Sequence, residues 1–244
     1  MEYLVFQLYG PLASWGEPAT GEVRRSSGHP GRSAIIGLLA AALGITRDDE
    51  SQLAALRDGV IVAVKQLSPG VMIQDYHTAQ VPGQDRKAWR MTRRDELSAR
   101  SDRLHTILST REYRCDGYWQ VAVRTAAGCP WTLEAMVNAL RRPRFPLYLG
   151  RKSCPPAAPL APRVVEAGGV RGAFAREFDA FTTLGRDDER RLLRMSGEVA
   201  YAWEGDGGDL APQETRHPQD QPLNRERWQF TSRPEHWHTT TEGA

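Results

Sequence analysis

The segment that decides the fold is YWQVAVRTAAGCPWTLEAMVNAL, residues 118–140. In its first part, 118–125, one side carries Tyr, Gln, Ala and Arg and the other Trp and Val, an alternation typical of a half-buried strand. Thr132 then offers an N-cap, and apolar residues follow at i, i+3, i+4 and i+7, the spacing of one helix face. These residues are Leu133, Met136, Val137 and Leu140. The segment therefore predicts a strand followed by a helix.

The N-terminal part of the chain repeats this order. Tyr3–Leu8 alternates and predicts a first strand, Ala34–Leu43 with Ser33 as N-cap predicts a buried helix, and Val60–Leu67 predicts a strand. The remaining predicted elements are a short helix over Glu50–Arg57 and a short final strand over Phe145–Leu149. This order predicts an α+β fold with a ferredoxin-like (RRM-like) βαββαβ unit. Helices cover one face of such a sheet, and we expect the other face to be free, as in RNA-recognition domains.

The segment between the two halves and the segment after them carry different patterns. Val71–Tyr76 and Thr106–Tyr113 are predicted to pair as extended arms around a basic, polar segment. After Arg151 the chain becomes Pro-rich and then Gly-rich and acidic, which predicts loops and short strands that wrap the core. Within this extension we expect Gly205–Pro222 to be a mobile loop and His236–Ala244 to be frayed.

The charges are sorted along the chain, although the formal net charge is only +2. Of 32 basic residues, 29 are arginine, a total that a GC-rich genome also explains. Their positions are more informative: 86–114 holds nine basic and four acidic residues, and 141–152 holds five basic residues and no acid. Residues 177–220 hold eleven acids against five arginines. This separation indicates a basic surface that binds a polyanion and a separate acidic surface with another role.

Several classes of protein are disfavoured. Cys115, Cys129 and Cys154 are widely spaced and contain no C-x-x-C pair, so neither a disulfide framework nor a zinc site is expected. His236 and His238 alone are too few ligands for a metal. The N-terminus has no signal-peptide pattern and no run reaches the roughly 18 apolar residues of a membrane span, so we expect a cytoplasmic protein without membrane contact. We expect neither metal nor cofactor.

The candidate RNA-binding residues fall in four places. Backbone amides at the start of the predicted helix near Ser33 suit a phosphate, and glycine and cations around Gly150 permit close contact with RNA. Basic residues around Trp89 suit single-stranded RNA, and an aromatic side chain before the insertion could stack on a base. The candidates are Trp15, Arg24, Arg25, Arg32, Ser33, Tyr76, His77, Lys87, Arg90, Arg111, Arg142, Gly150, Arg151 and Lys152. For each site the structural alternative is a solvated turn or an exposed charged surface.

Four segments also occur in the order found in a known family. They are GPLASWG at 10–16; PGRS at 30–33 with RDD at 47–49; DYHT at 75–78 with REYRCD at 111–116; and YLGRKSCP at 148–155. Together these segments, within residues 1 to about 156, resemble the CasD family, the guide-capping subunits of type I-E Cascade in the repeat-associated (RAMP) superfamily.

The resemblance implies a domain arrangement and a role. It implies a palm whose halves are 1–77 and 111–156, an inserted thumb at 78–110, and a C-terminal extension at 157–244. The implied protein is a non-catalytic CRISPR subunit that binds the 5′ handle of crRNA, caps the backbone filament and supports antiviral DNA surveillance. The implied partners are the crRNA handle, the Cascade backbone subunit and the large PAM-reading subunit.

Two alternatives stay open. Some members of the superfamily cleave repeat RNA without metal through His, Tyr and Lys, and His77, Tyr76 and Lys87 could form such an endoribonuclease site. General acid–base catalysis requires these groups to converge on one phosphodiester. A free-standing RNA-recognition domain ranks third, because the aromatic K/R-G-F/Y-G/A-F-V signature is absent.

Overall fold

A seven-stranded antiparallel sheet forms the centre of the computed structural model, which describes residues 1–16, 19, 21–83, 89–98, 104–183, 185–224 and 229–241. Its strands are β1 (Glu2–Tyr9), β4 (Val60–Ser68), β7 (Tyr118–Thr125), β8 (Arg163–Glu166), β9 (Glu198–Trp203), β10 (Glu214–Arg216) and β13 (Glu235–Thr241). The strands outside this sheet are β2 (Leu12–Ala13), β3 (Val23–Arg24), β5 (Val71–Pro82), β6 (Leu104–Cys115), β11 (Gln221–Asn224) and β12 (Gln229–Thr231). The helices are α1 (Arg32–Leu43), α2 (Glu50–Gly59), α3 (Arg93–Leu97), α4 (Leu133–Arg141), α5 (Val170–Ala173) and α6 (Arg186–Leu192).

The strands lie in the order β10-β13-β9-β4-β7-β1-β8. The predicted strands at 3–8, 60–67 and 118–125 and the predicted helices at 34–43, 50–57 and 133–140 are confirmed within one or two residues. Thr132 caps α4 as expected, since its Oγ1 accepts from the Ala135 amide at 3.2 Å. The α1 cap is different: the helix begins at Arg32, and its N-cap is Gly31 rather than Ser33.

The predicted strand at 145–149 is wrong. The Leu149 amide donates to the Cys154 carbonyl at 2.7 Å, so this backbone closes a turn instead of joining the sheet. Its apolar pattern reflects core packing, because Leu149 is fully buried and Leu147 packs against the same core. The position beside β1 is taken by β8, which pairs with residues 2–5 in antiparallel register.

One face of the sheet packs against α1 and α4. Leu4, Phe6 and Leu8 of β1 point to this side and are completely buried. Ile35 and Leu39 from α1, with Met136 from α4, fill the space above them. Burying each such side chain contributes about 2 kcal/mol, so this layer is the main hydrophobic core. The helices therefore cover the side of β1 that carries Leu4, Phe6 and Leu8.

The other face is not free, contrary to the expectation from the ferredoxin-like order. Tyr3, Val5 and Ala122 on this side are buried under the C-terminal part of the chain. The covering residues are Val170, Ala173, Phe174, Phe178 and Leu210. Nearby, Phe181 stacks on Tyr9 with ring centroids 4.7 Å apart. An RNA strand therefore has no open sheet surface here, because an apolar layer from beyond residue 160 occupies it.

The C-terminal strands enlarge the sheet. β9 pairs with β4, and β13 pairs with β9 over 198–203 and 236–241. The expectation of a frayed end at 236–244 is thus wrong for residues up to 241, and Trp237 is buried. The expectation of a mobile loop at 205–222 is also wrong, since this segment contains β10 and the buried residues Leu210 and Asp220. The family resemblance also predicts a strand-like segment at 225–230. Of this segment only residues 229 and 230 are described, and they belong to β12.

A buried set of charges ties this C-terminal part to the start of α1, and we name it the ion cluster. It consists of His29, Arg32, Glu204, Asp220, Arg233 and Glu235. Arg233 binds Asp220 at 2.8 Å and Glu235 at 2.6 Å, and Arg32 binds Glu204 at 2.7 Å. His29 lies 3.2 Å from the Glu235 carboxylate. Its members come from distant parts of the chain, so the cluster fixes β9, β13 and α1 relative to one another.

A long hairpin is inserted between β4 and β7, and we name it the arm. β5 and β6 pair antiparallel from Val71↔Cys115 to Pro82↔Leu104, which confirms the predicted pairing and extends it at both ends. The opposite edge of β6 pairs with β2 antiparallel and with β3 parallel. The arm is thus joined to the loop 10–31 as well as to the main sheet. Among the described residues, no helix is long and apolar enough to cross a membrane.

Candidate nucleic-acid interface

Three segments meet where the arm joins the main sheet: the loop at Ser14, the loop at Ser26 and the turn after Leu149. Glu112 on β6 holds the first two together. The Ser14 hydroxyl donates to the Glu112 carbonyl at 3.0 Å, and the Ser26 amide donates to the Glu112 carboxylate at 2.9 Å. The Ser27 amide closes the first loop by bonding to the Trp15 carbonyl at 2.8 Å. The described part of the loop 10–31 is therefore hydrogen-bonded to β6.

The third loop is the turn after Leu149, and it requires glycine at position 150. Gly150 has φ +86°, and a Cβ added to it would lie 1.8 Å from the Ser14 carbonyl oxygen. The Ser14 amide donates to the Leu149 carbonyl at 2.9 Å, so the two backbones run in direct contact. A side chain would break both the conformation and the contact. Cys154 lies beneath the turn, and burial raises the pKa of its thiol, so it is a neutral packing group.

Arg151 links this turn to β6 and to the segment that carries Arg24. Its guanidinium lies over the Tyr113 ring at 4.7 Å and donates to the carbonyls of Glu112 and Arg24, each at 3.3 Å. Guanidinium groups carry five N–H donors in a fixed fork. Part of this set is used inside the protein, and the half-buried position leaves the rest toward solvent. Lys152 is exposed beside it.

Register places further arginines on the same side of the arm. Cross-strand partners share a face of a sheet, and alternate residues of a strand share it too. Arg24 is the partner of Arg111, and Arg111 lies two residues before Tyr113, on which Arg151 stacks. We name the surface formed by Arg24, Arg111 and Arg151 the arginine face.

The electrostatics of the arginine face favour an anion. Like charges at directly opposite positions of neighbouring strands repel each other. The hydrogen-bond acceptors of two of these side chains are neutral: Arg24 donates to the Ala19 carbonyl, and Arg111 to the Ser109 hydroxyl at 3.2 Å, while Asp75 is the neighbour of Arg111 on β5. Among the described residues, no carboxylate forms an ion pair with the three arginines. A bound phosphate chain would remove the repulsion, so the surface can hold a polyanion.

Three predicted site residues lie elsewhere. Trp15 is only 2% exposed and packs edge-on against Trp119 at 5.2 Å, so its ring belongs to the core. Arg32 is 9% exposed and belongs to the ion cluster. The phosphate predicted at the start of α1, near Ser33, is replaced by the Asp220 carboxylate, which accepts from the Arg32 amide at 2.9 Å. The prediction that these residues bind RNA directly is corrected, because the chain supplies its own partners for them.

Tyr76 and His77 point to opposite sides of the arm. Adjacent strand residues alternate, so His77 lies on the side of Arg111 and Tyr76 on the other. Tyr76 is 67% exposed. His77 has its Nδ1 3.7 Å from the Asp75 carboxylate. The strand geometry therefore does not bring this tyrosine and histidine together.

The remaining predicted residues are outside the arginine face. Arg142 is exposed at the end of α4, and Arg144 beside it packs on Gly44 at the end of α1. Arg90 is half-buried near the far end of the arm, next to Trp89, which is 86% exposed. Lys87 lies outside the described residues. Arg25 is exposed next to Arg24.

Sequence reasoning missed Glu112, Ser26 and Arg114. Arg114 donates to the carbonyls of Ser27 and Ser26 at 3.1 and 3.3 Å, and so holds the arginine-bearing loop from beneath. The sequence signal that could have found them is Glu112, an acidic residue inside the basic segment REYRCD at 111–116. An acid among arginines indicates a structural contact for its carboxylate. Among the described residues, no group of His, Cys, Asp or Glu could hold a metal ion.

Comparisons with known proteins agree with each other. The family model described as CRISPR-associated protein (Cas_Cas5) matches residues 3–234. CRISPR system Cascade subunit CasD of Escherichia coli (strain K12) is 35% identical over 158 residues, which cover 65% of this chain and 69% of that protein.

Two solved structures have a similar fold. One, named CRISPR RNA-guided surveillance complex, superposes with a TM-score of 0.64 at 24% identity, covering 99% of this chain and 91% of its own. The other, named Crystal structure of Cas protein, has a TM-score of 0.54 at 24% identity, covering 98% and 94%. The family model matches nearly the whole chain, and this match shows that the chain belongs to the Cas_Cas5 family of CRISPR-associated proteins.

Proposed function

We propose that the protein is a non-catalytic Cascade subunit that binds the 5′ handle of crRNA, caps the backbone filament and supports antiviral DNA surveillance. The observation that carries this proposal is the arginine face, where Arg24 and Arg111 lie side by side and, among the described residues, form no ion pair with a carboxylate; Asp75, the neighbour of Arg111 on β5, pairs with His77. The Gly150 turn and Lys152 adjoin it. The likeness to a Cascade subunit supports the assignment of RNA as the polyanion.

The proposal includes a ferredoxin-like palm with an inserted thumb. The order β8-β1-β7-β4 supports the palm, since it places the first strand of a βαββαβ unit between the third and the fourth. The arm supports the thumb, although its pairing runs from Val71 to Cys115, beyond the boundaries 78–110 inferred from the resemblance. The extension 157–244 is proposed as the part that wraps the palm.

The proposed protein partners are the backbone subunit and the large PAM-reading subunit of Cascade. Large apolar side chains that are exposed on the arm support a protein contact there, because a partner that covers them would remove their apolar surface from water. They are Met72, Tyr76, Trp89, Met91 and Ile107. A cytoplasmic location, and no cofactor, metal or membrane, are part of the same proposal.

Removal of two cations tests the proposed interface. Lys152 is exposed and Arg111 donates to Ser109 on its own strand, so Arg111→Ala with Lys152→Ala removes charge without releasing a loop. Two lost phosphate contacts should lower affinity for handle RNA and reduce the slope of log K against log salt by about 1.4. Fluorescence anisotropy across a salt series measures both quantities.

The matched control is Arg190→Ala with Arg191→Ala on α6, which removes the same charge far along the chain from the arm. Its salt slope should equal that of the native protein. An unchanged slope in the double variant at 111 and 152 would contradict the proposed interface.

The endoribonuclease alternative loses support because Tyr76 and His77 lie on opposite sides of the arm. We expect labelled repeat RNA to stay intact when it is incubated with the protein without metal. The measurement is a gel assay for a 2′,3′-cyclic phosphate product. A product that disappears in His77→Ala would contradict the non-catalytic proposal.

A further inference from the structure

A buried acid lies directly beneath the arginine face. Glu112 is 8% exposed, and its neighbours along β6 are Arg111 and Arg114 at one and two residues' distance. An acid in this position repels any RNA phosphate held above it. On electrostatic grounds alone, an RNA-binding surface would be better without this carboxylate, so its presence needs another reason.

The contacts of Glu112 supply that reason. Its carboxylate accepts from the Ser26 amide at 2.9 Å and from the Gln74 side-chain amide at 3.3 Å. Ser26 is buried, so this amide has no access to bulk water. A buried backbone N–H without a partner costs free energy, and the carboxylate removes that cost by holding the loop in one place.

The loop that Glu112 holds carries two of the exposed arginines. Ser26 directly follows Arg24 and Arg25, and the Arg24 carbonyl accepts from Arg151 at 3.3 Å. A shift at Ser26 would therefore move Arg24 and Arg25, and would also take away one of the two carbonyls that orient Arg151. Glu112 thus helps to fix the geometry of the arginine face, together with Arg114, which binds the carbonyls of Ser26 and Ser27.

We propose that Glu112 is a positioning residue for RNA binding, which sets the spacing of Arg24, Arg25 and Arg151 to match successive phosphates. This inference rests on the proposed RNA-binding function. It makes a prediction opposite to that of simple electrostatics, because the length of the side chain matters and its charge does not.

Two substitutions separate length from charge. Glu112→Asp keeps the charge but shortens the side chain by one methylene, so the bond to the Ser26 amide is lost. Glu112→Gln removes the charge but keeps an acceptor oxygen at the same distance. Positioning predicts that affinity for handle RNA falls about tenfold in Glu112→Asp, the value of one charge-assisted hydrogen bond. It predicts a change within about threefold in Glu112→Gln.

The measurement is fluorescence anisotropy with labelled 5′-handle RNA, at a temperature where circular dichroism shows both variants fully folded. Asp75→Asn is the control for charge, because this exposed carboxylate lies opposite Arg111 and makes no bond to a loop. Its loss should leave affinity unchanged or raise it.

The inference is overturned if Glu112→Asp binds as tightly as the native protein, or if Glu112→Gln changes affinity more than Glu112→Asp does. If the native protein does not bind handle RNA, the proposed function itself fails. The two failures are therefore distinguishable.

Discussion

Arg24 and Arg32 look equivalent in the sequence, since both lie in one loop that leads into a helix. The structure separates them: Arg24 lies on an exposed strand, whereas Arg32 is buried against Glu204. The partner that decides this is far along the chain, and no local pattern reveals it. Residue type therefore predicted which side chains could bind phosphate, and long-range ion pairing decided which of them are available.

The sequence singled out Gly150 for close contact with RNA; in the structure its close contact is with the Ser14 backbone, and this contact gives a prediction. Gly150→Ala should lower both stability and affinity for handle RNA, because it combines a positive φ with a Cβ placed 1.8 Å from the Ser14 carbonyl. We expect a melting temperature at least about 5 °C lower, from a cost of 2 kcal/mol or more. Thermal unfolding followed by circular dichroism measures it.

Gly128→Ala is the matched control for this change. Gly128 also has a positive φ, +83°, but nothing lies within 4 Å of the added Cβ. It should therefore show only the conformational cost, about 1 kcal/mol, and no loss of RNA affinity. Equal effects of the two substitutions would show that the contact between Gly150 and Ser14 contributes neither to stability nor to RNA affinity.

At the scale of elements, predictions from periodicity succeeded where packing and hydrogen bonding agree. β7 and α4 have clear periods of 2 and 3.6, and both were found. β13 reads EHWHTTT and resembles a polar tail, because its buried positions hold Glu235 as well as Trp237. A buried glutamate is stable there only because Arg233 and His29 lie beside it. A strand that depends on such partners cannot be recognised from its own residues.

Removing β13 should destabilise the whole protein. A chain that ends at Pro234 leaves one edge of β9 unpaired, deprives β10 of its neighbour and removes Glu235 and the buried Trp237. Losing a buried tryptophan alone costs about 3 to 5 kcal/mol, so the melting temperature should fall by about 10 °C or more. A chain that ends at Thr241 keeps the strand and should melt like the native protein, and equal melting of both truncated chains would contradict this prediction.

At the scale of the whole molecule, the acidic segment 177–220 does not form the separate charged face that its composition indicated. Glu204 and Asp220 belong to the ion cluster, Glu177 binds Arg190 at 2.8 Å, and Asp209 binds the amides of α5. These acids hold the extension in place. A count of charges along the sequence could not show which charges are used inside the molecule.

The ion cluster predicts how stability changes with pH. Burial alone raises the pKa of Glu235, but His29 and Arg233 outweigh it, and the pKa falls from 4.5 to about 2. A carboxyl group whose pKa is lower in the folded state stabilises the protein above its unfolded pKa. Its contribution, on the order of 3 kcal/mol, is present above about pH 5 and is lost as the pH falls from 4.5 toward 2.

Urea unfolding of the native protein and of Glu235→Gln at several pH values measures this contribution. The difference in free energy of unfolding should shrink as the pH falls below 4.5. A difference that stays the same down to pH 3 would contradict the role of Glu235.

Strand β6 connects places that are otherwise far apart in the molecule. It runs the full length of the arm, and near its end it is hydrogen-bonded to Leu12–Ala13 and to Val23–Arg24. The arm and the loop with the arginines therefore belong to one hydrogen-bonded sheet. In the complex proposed above, a partner that displaces the arm would therefore also displace the cations at its base.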